Sequence, residues 1–198
     1  ENSIMFVLGI TGLYCSGKSI AGKLFIENGF IEIDVDKLGH SALNIKKEKI
    51  IQYFGQDICE NGEISRPRLG KLVFSSDTAL EALENIVHPV MVEQTKSLLK
   101  EYNKEQTAYV SINAAILYKM GLDKLCDAVL AIVSPDEIII QRGIARDGLQ
   151  PDDIKRRLKK QKLYNENFKS AEYFIVNNDN FNDFMNELNA VLKKIKGE

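Results

Sequence analysis

Two hydrophobic rhythms alternate along this chain, and the places where they change mark its elements. Ile4-Met5-Phe6-Val7-Leu8-Gly9-Ile10 is a nearly unbroken apolar run of strand length, which predicts a strand buried on both faces. Ile20, Leu24 and Phe25 then mark one face of a helix that Gly29 ends. Phe30-Ile31-Glu32-Ile33 reads as a second strand running into Asp34-Val35-Asp36, and further strands are predicted over 108–112, 128–133 and 173–176. Strand, helix and strand in succession make the right-handed βαβ unit. The fold class expected is therefore α/β, a three-layer arrangement around a parallel five-stranded sheet.

Between residue 37 and roughly residue 104 the rhythm is helical, with short polar breaks. A helix ends at Gly55, Asn61-Gly62 makes a turn, and Ser65 caps a short helix containing Leu69, Leu72, Val73 and Phe74. Asp77 is the expected cap of a longer helix, Pro89 is expected to interrupt it, and helical spacing resumes at Val90, Gln94 and Leu98. Ser134-Pro135-Asp136-Glu137 reads as a capping box with proline at the first helical position. The helix it starts carries Arg142 and Arg146 and stops near Gly148; Pro151 opens the next. Phe181, Phe184, Met185, Leu188, Val191, Leu192 and Ile195 form a 3.6-residue stripe read as core cover. The expected organisation is a core of residues 1–36 and 106–198, with a lid at about 142–165, and a helical insertion over 37–105.

One short stretch changes this picture from architecture to chemistry. Gly12-Leu13-Tyr14-Cys15-Ser16-Gly17-Lys18-Ser19 matches G-x-x-x-x-G-K-[ST], the phosphate-cradling P-loop, and it lies between a predicted strand and a predicted helix. By chance the pattern arises in about one chain in a hundred of this length. Glycines at 12 and 17 let the backbone approach phosphate oxygens, and the helix N-terminus adds partial positive charge. Lys18 is expected on the β- and γ-phosphates and the Ser19 hydroxyl on Mg²⁺. Cys15 reads as a small loop filler, with redox sensitivity the lesser alternative. The loop predicts a nucleoside triphosphate site.

Composition narrows the partners. The chain has 198 residues, 44% of them hydrophobic and 27% charged, enough for one sizeable core in an ordinary globular protein. A net charge of −2 argues against a nucleic-acid-binding protein, and no apolar run approaches a membrane span. Three scattered cysteines and two histidines lack disulfide or zinc spacing, which fits a reducing cytoplasm.

A P-loop alone does not separate a kinase from a switch or motor, so the remaining polar residues decide. Asp34 and Asp36 sit at the expected carboxyl edge of the second strand, where a carboxylate could take a hydroxyl proton; the alternative is a cap on the following helix. Arg142 and Arg146, four apart on one helix face, suit a polyanion and a closing lid; otherwise they are a solvated face. His40 and His88 are candidates for the same cleft, or packed residues. The third strand ends in Asn113 where an NTPase switch usually has aspartate, which argues for a small kinase rather than a hydrolytic switch.

Taken in order, these residues resemble the dephospho-CoA kinase family. The likeness runs from Thr11–Ser19 through Asp34-Val35-Asp36-Lys37-Leu38-Gly39-His40, Phe54-Gly55, Gly62-Glu63-Ile64-Ser65-Arg66 and His88-Pro89. It continues in Gly121-Leu122-Asp123, Gln141-Arg142, Arg146, Arg157-Leu158, Gln161 and Ala171-Glu172, leading to Asn177. The resemblance implies ATP, Mg²⁺ and dephospho-CoA as ligands, with the ribose 3′-hydroxyl attacking the γ-phosphate. It implies Asp36 as base or orienting carboxylate, and Lys18 and the loop residues Gly12, Cys15, Ser16, Gly17, Ser19 and Ile20 on the nucleotide. Arg142 and Arg146 would belong to the lid, and Asn177 would pass the adenine. Asp34, His40 and His88 would stand on the acceptor side. A monomer or weak homo-oligomer is the expected working form. The chain departs from the family at Ala115-Ile116-Leu117-Tyr118-Lys119, where the family often reads Pro-Leu-Leu-Phe-Glu, at Asn113, and at Ile20 in place of a frequent threonine. The competing readings are another small-metabolite or nucleotide kinase of the P-loop class and a non-catalytic ATP sensor.

Overall fold

A computed structural model describes residues 5–164 and 166–198, so Ile4 of the expected first strand and position 165 of the expected lid lie outside the described residues. The chain divides into two compact units, one of residues 1–34 and 99–198 and one of residues 35–98.

The first unit is built on a five-stranded sheet. Its strands are β1 (Phe6–Gly12), β2 (Ile31–Asp34), β5 (Tyr109–Asn113), β6 (Ala128–Val133) and β7 (Tyr173–Val176), while β3 (Cys59–Glu60) and β4 (Glu63–Ile64) belong to the second unit. Their spatial order is β2-β5-β1-β6-β7, and every pairing is parallel. Central β1 is buried along almost its whole length, as its unbroken apolar run requires. One core lies beside α1 (Lys18–Glu27) and α8 (Phe181–Lys196), where Phe25, Leu8, Ile10, Leu130, Phe184 and Leu188 meet. A second gathers Leu13, Tyr14 and Ile139 with Ile154, Leu158 and Phe168, so α6 (Asp136–Asp147) and α7 (Pro151–Tyr164) pack on the loop after β1.

Three helix starts and one helix face differ from expectation. Ser65 stands at the cap position of the helix Arg66–Phe74, but its side chain makes no cap hydrogen bond. Ser134 and Pro135 form no capping box: Pro135 is itself the cap residue and no side chain closes it. The Ser134 hydroxyl instead donates to the Ser16 carbonyl and accepts from Arg142. In the first turn of α6, Asp136 pairs with Lys162 of α7 at 2.7 Å. On α8, Phe184, Leu188, Val191 and Leu192 are buried, but Phe181 is 61% exposed and is not core. Asn180 caps this helix, its side-chain oxygen accepting the N–H groups of Asn182 and Asp183.

The second unit is helical except for a small hairpin. It holds α2 (Val35–Ile45), α3 (Lys47–Phe54), the two-residue strands β3 and β4, α4 (Arg66–Phe74) and the larger part of α5 (Asp77–Lys104). The Asn61-Gly62 turn closes the hairpin, whose strands are too short to show a period. Ser76, not Asp77, caps α5, its hydroxyl accepting the Ala79 N–H at 3.3 Å. The expected interruption at Pro89 does not occur, and α5 is one helix of 28 residues. Pro89 and Asn85, whose carbonyl loses its partner, are both exposed, so water satisfies the lost bond. The opposite face, Val87, Met91, Thr95 and Leu99, is buried at four-residue spacing and carries the helix through.

Candidate active site

The loop between β1 and α1 owes its shape to what its glycines exclude. A Cβ on Gly12 would stand 2.1 Å from the Ile132 carbonyl oxygen, so only glycine lets the loop leave β1 against β6. Gly17 has φ +116°, and a Cβ there would press on Phe184 and the Asn177 amide. Between them Cys15 holds φ +54°, a left-handed conformation uncommon for a side-chain-bearing residue. Ser16 is fully buried, its hydroxyl donating to the Leu13 carbonyl at 2.8 Å. Lys18 donates to the Gly12 and Leu13 carbonyls at 3.0 and 3.1 Å, so its ammonium lies across the loop where a phosphate would sit.

A cavity of about 630 Å³ opens on this loop. Cys15, Ser16, Gly17, Lys18, Ser19 and Ile20 form one wall, and Arg142, Arg146, Asn177 and Phe181 stand among the rest. The exposed Ser19 hydroxyl lies in the first turn of α1, and it is a hard oxygen donor of the kind Mg²⁺ accepts. No group of three or more histidine, cysteine or acidic side chains ready for a metal exists among the described residues.

Arg142 binds the cavity together. A guanidinium has five N–H donors, and here each has an acceptor. Nε donates to Asp179 at 3.2 Å, Nη1 to the Cys15 carbonyl at 3.0 Å and the Ser134 hydroxyl at 3.3 Å, and Nη2 to Asn177 at 3.1 Å and Asp179 at 2.8 Å. Asn177, 4% exposed, passes the connection on by donating to the Ser16 carbonyl at 2.9 Å. Arg146 is differently placed: more exposed, it forks onto its neighbour Asp147 at 2.9 and 2.8 Å. That hydrogen bond raises the Arg146 pKa and holds the Asp147 carboxyl at about 2.

The remaining candidates lie elsewhere. Asp34 ends β2 on the edge of the sheet, in register with Asn113. Asn113 donates to Glu32 at 3.0 Å, so one carboxylate of β2 accompanies the position where an NTPase switch usually has aspartate. Lys119 stands 3.5 Å from the ring centre of Tyr164 at the end of α7. In the second unit, Asp36 is in the first turn of α2, exposed, and His40 follows one turn later with its Nε2 2.7 Å from Arg66 Nη1. His88 is half-buried on α5. Sequence reasoning missed Ser134, Asp179 and Phe181 as parts of the nucleotide cavity and its brace. The signal available for the last two was their place just past the fifth parallel strand, at the carboxyl edge where such sheets bind ligands.

Comparison with known proteins adds an independent finding. A family model described as dephospho-CoA kinase matches residues 6–183. A dephospho-CoA kinase from Borreliella burgdorferi is 36% identical over 197 residues, covering 96% of this chain and 93% of that protein. One from Fusobacterium nucleatum is 34% identical, covering 98% of this chain and 100% of the relative. The solved dephospho-CoA kinase of Campylobacter jejuni superposes with a TM-score of 0.71 at 28% identity, covering 98% of this chain and 99% of that one.

Proposed function

The chain belongs to the dephospho-CoA kinase family, ATP-dependent enzymes that phosphorylate the 3′-hydroxyl of dephospho-CoA to give coenzyme A and ADP, and we propose how its own residues carry that reaction. The observation that supports the assignment most is the meeting, in one cavity, of loop residues 15–20 with Arg142, Arg146 and Asn177.

The triphosphate takes the loop N–H groups and the α1 N-terminus as its cradle. Lys18 exchanges the Gly12 and Leu13 carbonyls for the β- and γ-phosphates, a small movement of an ammonium already lying across the loop. Ile20 brings no hydroxyl, so any contact there comes from its N–H. The Ser19 hydroxyl would hold Mg²⁺, which when bound would neutralise charge on the β- and γ-phosphate oxygens. Arg142 keeps the loop, Asn177 and Asp179 in register, and any phosphate contact of its own must displace one of the acceptors it already holds. Arg146 is the lid arginine that turns toward the phosphates.

Asp36 orients the acceptor hydroxyl and accepts its proton. The acceptor oxygen bonds to the γ-phosphorus, the bond from that phosphorus to the bridging oxygen breaks, and its electron pair leaves with ADP. The second unit is the acceptor side: His40 with its partner Arg66, and His88, supply polar contacts to dephospho-CoA, and Asp34 supports the edge. The three free cysteines suit a reducing cytoplasm. The working form is a monomer or weak homo-oligomer.

ADP release in a coupled assay with dephospho-CoA, AMP, CMP, shikimate and gluconate tests the choice of acceptor. Dephospho-CoA should dominate. Faster turnover with any of the others would overturn the assignment, and ATP binding without transfer to any would favour a sensor.

A further inference from the structure

Tyr14 is a phosphate-loop residue outside the lining of the nucleotide cavity, and it is 7% exposed. Its contacts run to both lid helices. On α6, a Cβ on Gly143 would stand 2.8 Å from both Tyr14 Cε1 and Ile154 Cδ1, so glycine there lets the ring lie close against that helix. Its backbone N–H, one of the loop donors, is taken by the Gln161 side chain of α7 at 2.7 Å. Its hydroxyl donates to Asp147, the last residue of α6, and Asp147 in turn accepts the forked bonds of Arg146. The guanidinium carbons of Arg146 and Arg157 lie 5.0 and 4.6 Å from the ring centre, within cation–π range. Burial and the bond to Asp147 push the Tyr14 pKa up to about 12, so the hydroxyl keeps the proton it donates.

We propose that Tyr14 is a positioning residue: through Asp147 it fixes the set point of Arg146, and through Gln161 and Arg157 it fixes the second lid helix. Two helices joined by the Gly-Leu-Gln-Pro break at 148–151 can pivot, whereas the γ-phosphate must meet the same arginine at the same place in each turnover. A residue inside the phosphate loop that touches both helices makes lid position a function of loop position. A lid held loosely admits water, and water competes with the acceptor hydroxyl for the γ-phosphoryl group.

This inference rests on Arg146 being the lid arginine, and the experiment separates the two claims. In the full chain, Tyr14→Phe, Tyr14→Leu, Asp147→Asn, Arg146→Ala and the Tyr14→Leu/Arg146→Ala double variant are assayed for kcat, KM for ATP, and ADP release without acceptor. Arg146→Ala should raise KM for ATP and lower kcat. Tyr14→Leu should raise the ratio of hydrolysis to transfer about tenfold, with Tyr14→Phe partly restoring it because the ring survives. The double variant should be little worse than Arg146→Ala, since both changes remove one function. If Arg146→Ala behaves as wild type, the lid-arginine reading falls, and the proposal with it. If Arg146→Ala is impaired while Tyr14→Leu leaves the ratio unchanged, or lowers transfer and hydrolysis together and adds to Arg146→Ala, the Tyr14 proposal alone is overturned. Should Tyr14→Leu fail to fold, wild-type ratios in both Tyr14→Phe and Asp147→Asn overturn it.

Discussion

Arg142 and Asn177 share one hydrogen bond, guanidinium Nη2 to amide oxygen at 3.1 Å, and through it a lid helix and the end of a sheet strand hold the same phosphate loop. The Asn177 amide donates onward to the Ser16 carbonyl at 2.9 Å, and Arg142 itself donates to the Cys15 carbonyl. Five donors in fixed fork geometry make this brace; a lysine has the charge but not the fork. Arg142→Lys should therefore raise KM for ATP by about 10- to 100-fold, the equivalent of one or two charged hydrogen bonds. Steady-state kinetics check it. A lysine variant with the wild-type KM would show that charge alone is needed.

Phe181 and Leu188 lie on one helix and face different environments, Phe181 at the nucleotide cavity and Leu188 in the core with no exposed surface. Leu188→Ala should cost about 2–5 kcal/mol of stability, as cavity-forming core changes do. Phe181→Ala should leave the melting temperature almost unchanged while raising KM for ATP. Calorimetry and kinetics on the two variants read the contrast, and a large stability loss at Phe181 would contradict it.

That contrast also shows where the sequence was legible and where it was not. The phosphate loop was readable because its residues are contiguous and each type has a fixed task. The central strands β1 and β6 were readable because parallel strands buried on both faces are unbroken apolar runs. Periodicity marked Phe181 as core because a helix stripe does not say where the core ends and a cavity begins. Pro89 read as a break because the exposure of its side of α5, which makes the lost hydrogen bond harmless, is a property of packing. The Arg142 brace was invisible because its partners come from residues 15, 134, 177 and 179, distant along the chain. Ser134 read as a cap for the same reason: its hydroxyl has a better use in three dimensions.

Asp36→Asn tests the proposed chemistry at the acceptor. Loss of a base or orienting carboxylate should lower kcat by about 10²-fold or more. ATP binding, measured by calorimetry, should be unchanged, because the nucleotide cavity belongs to the first unit. A normal kcat would remove Asp36 from the mechanism.

The Tyr14–Asp147–Arg146 cluster has a definite pH signature. Arg146 and the Tyr14 hydroxyl hold the Asp147 carboxyl at about 2, below the usual carboxylate range, so its folded-state pKa is depressed. Its stabilisation is then full above the ordinary carboxylate pKa of about 4 and is lost as pH falls toward 2. Tyr14 has the opposite shift, up to about 12, so its contribution holds below the ordinary tyrosine pKa of about 10 and fades above it. The difference in melting temperature between wild type and Asp147→Asn should thus be flat from about pH 5 to 9 and shrink below about pH 4. A difference that varies across the neutral range would contradict this.

The most direct test of the whole account follows the phosphate itself. Wild-type enzyme and Lys18→Ala are incubated with ATP and dephospho-CoA, and products are identified by mass spectrometry and ³¹P NMR. The expected product is coenzyme A carrying the new phosphate on the ribose 3′-oxygen, with one ADP formed for each, and almost none of either from Lys18→Ala. ADP without coenzyme A, a phosphate at another position, or a Lys18→Ala variant as active as wild type would contradict it.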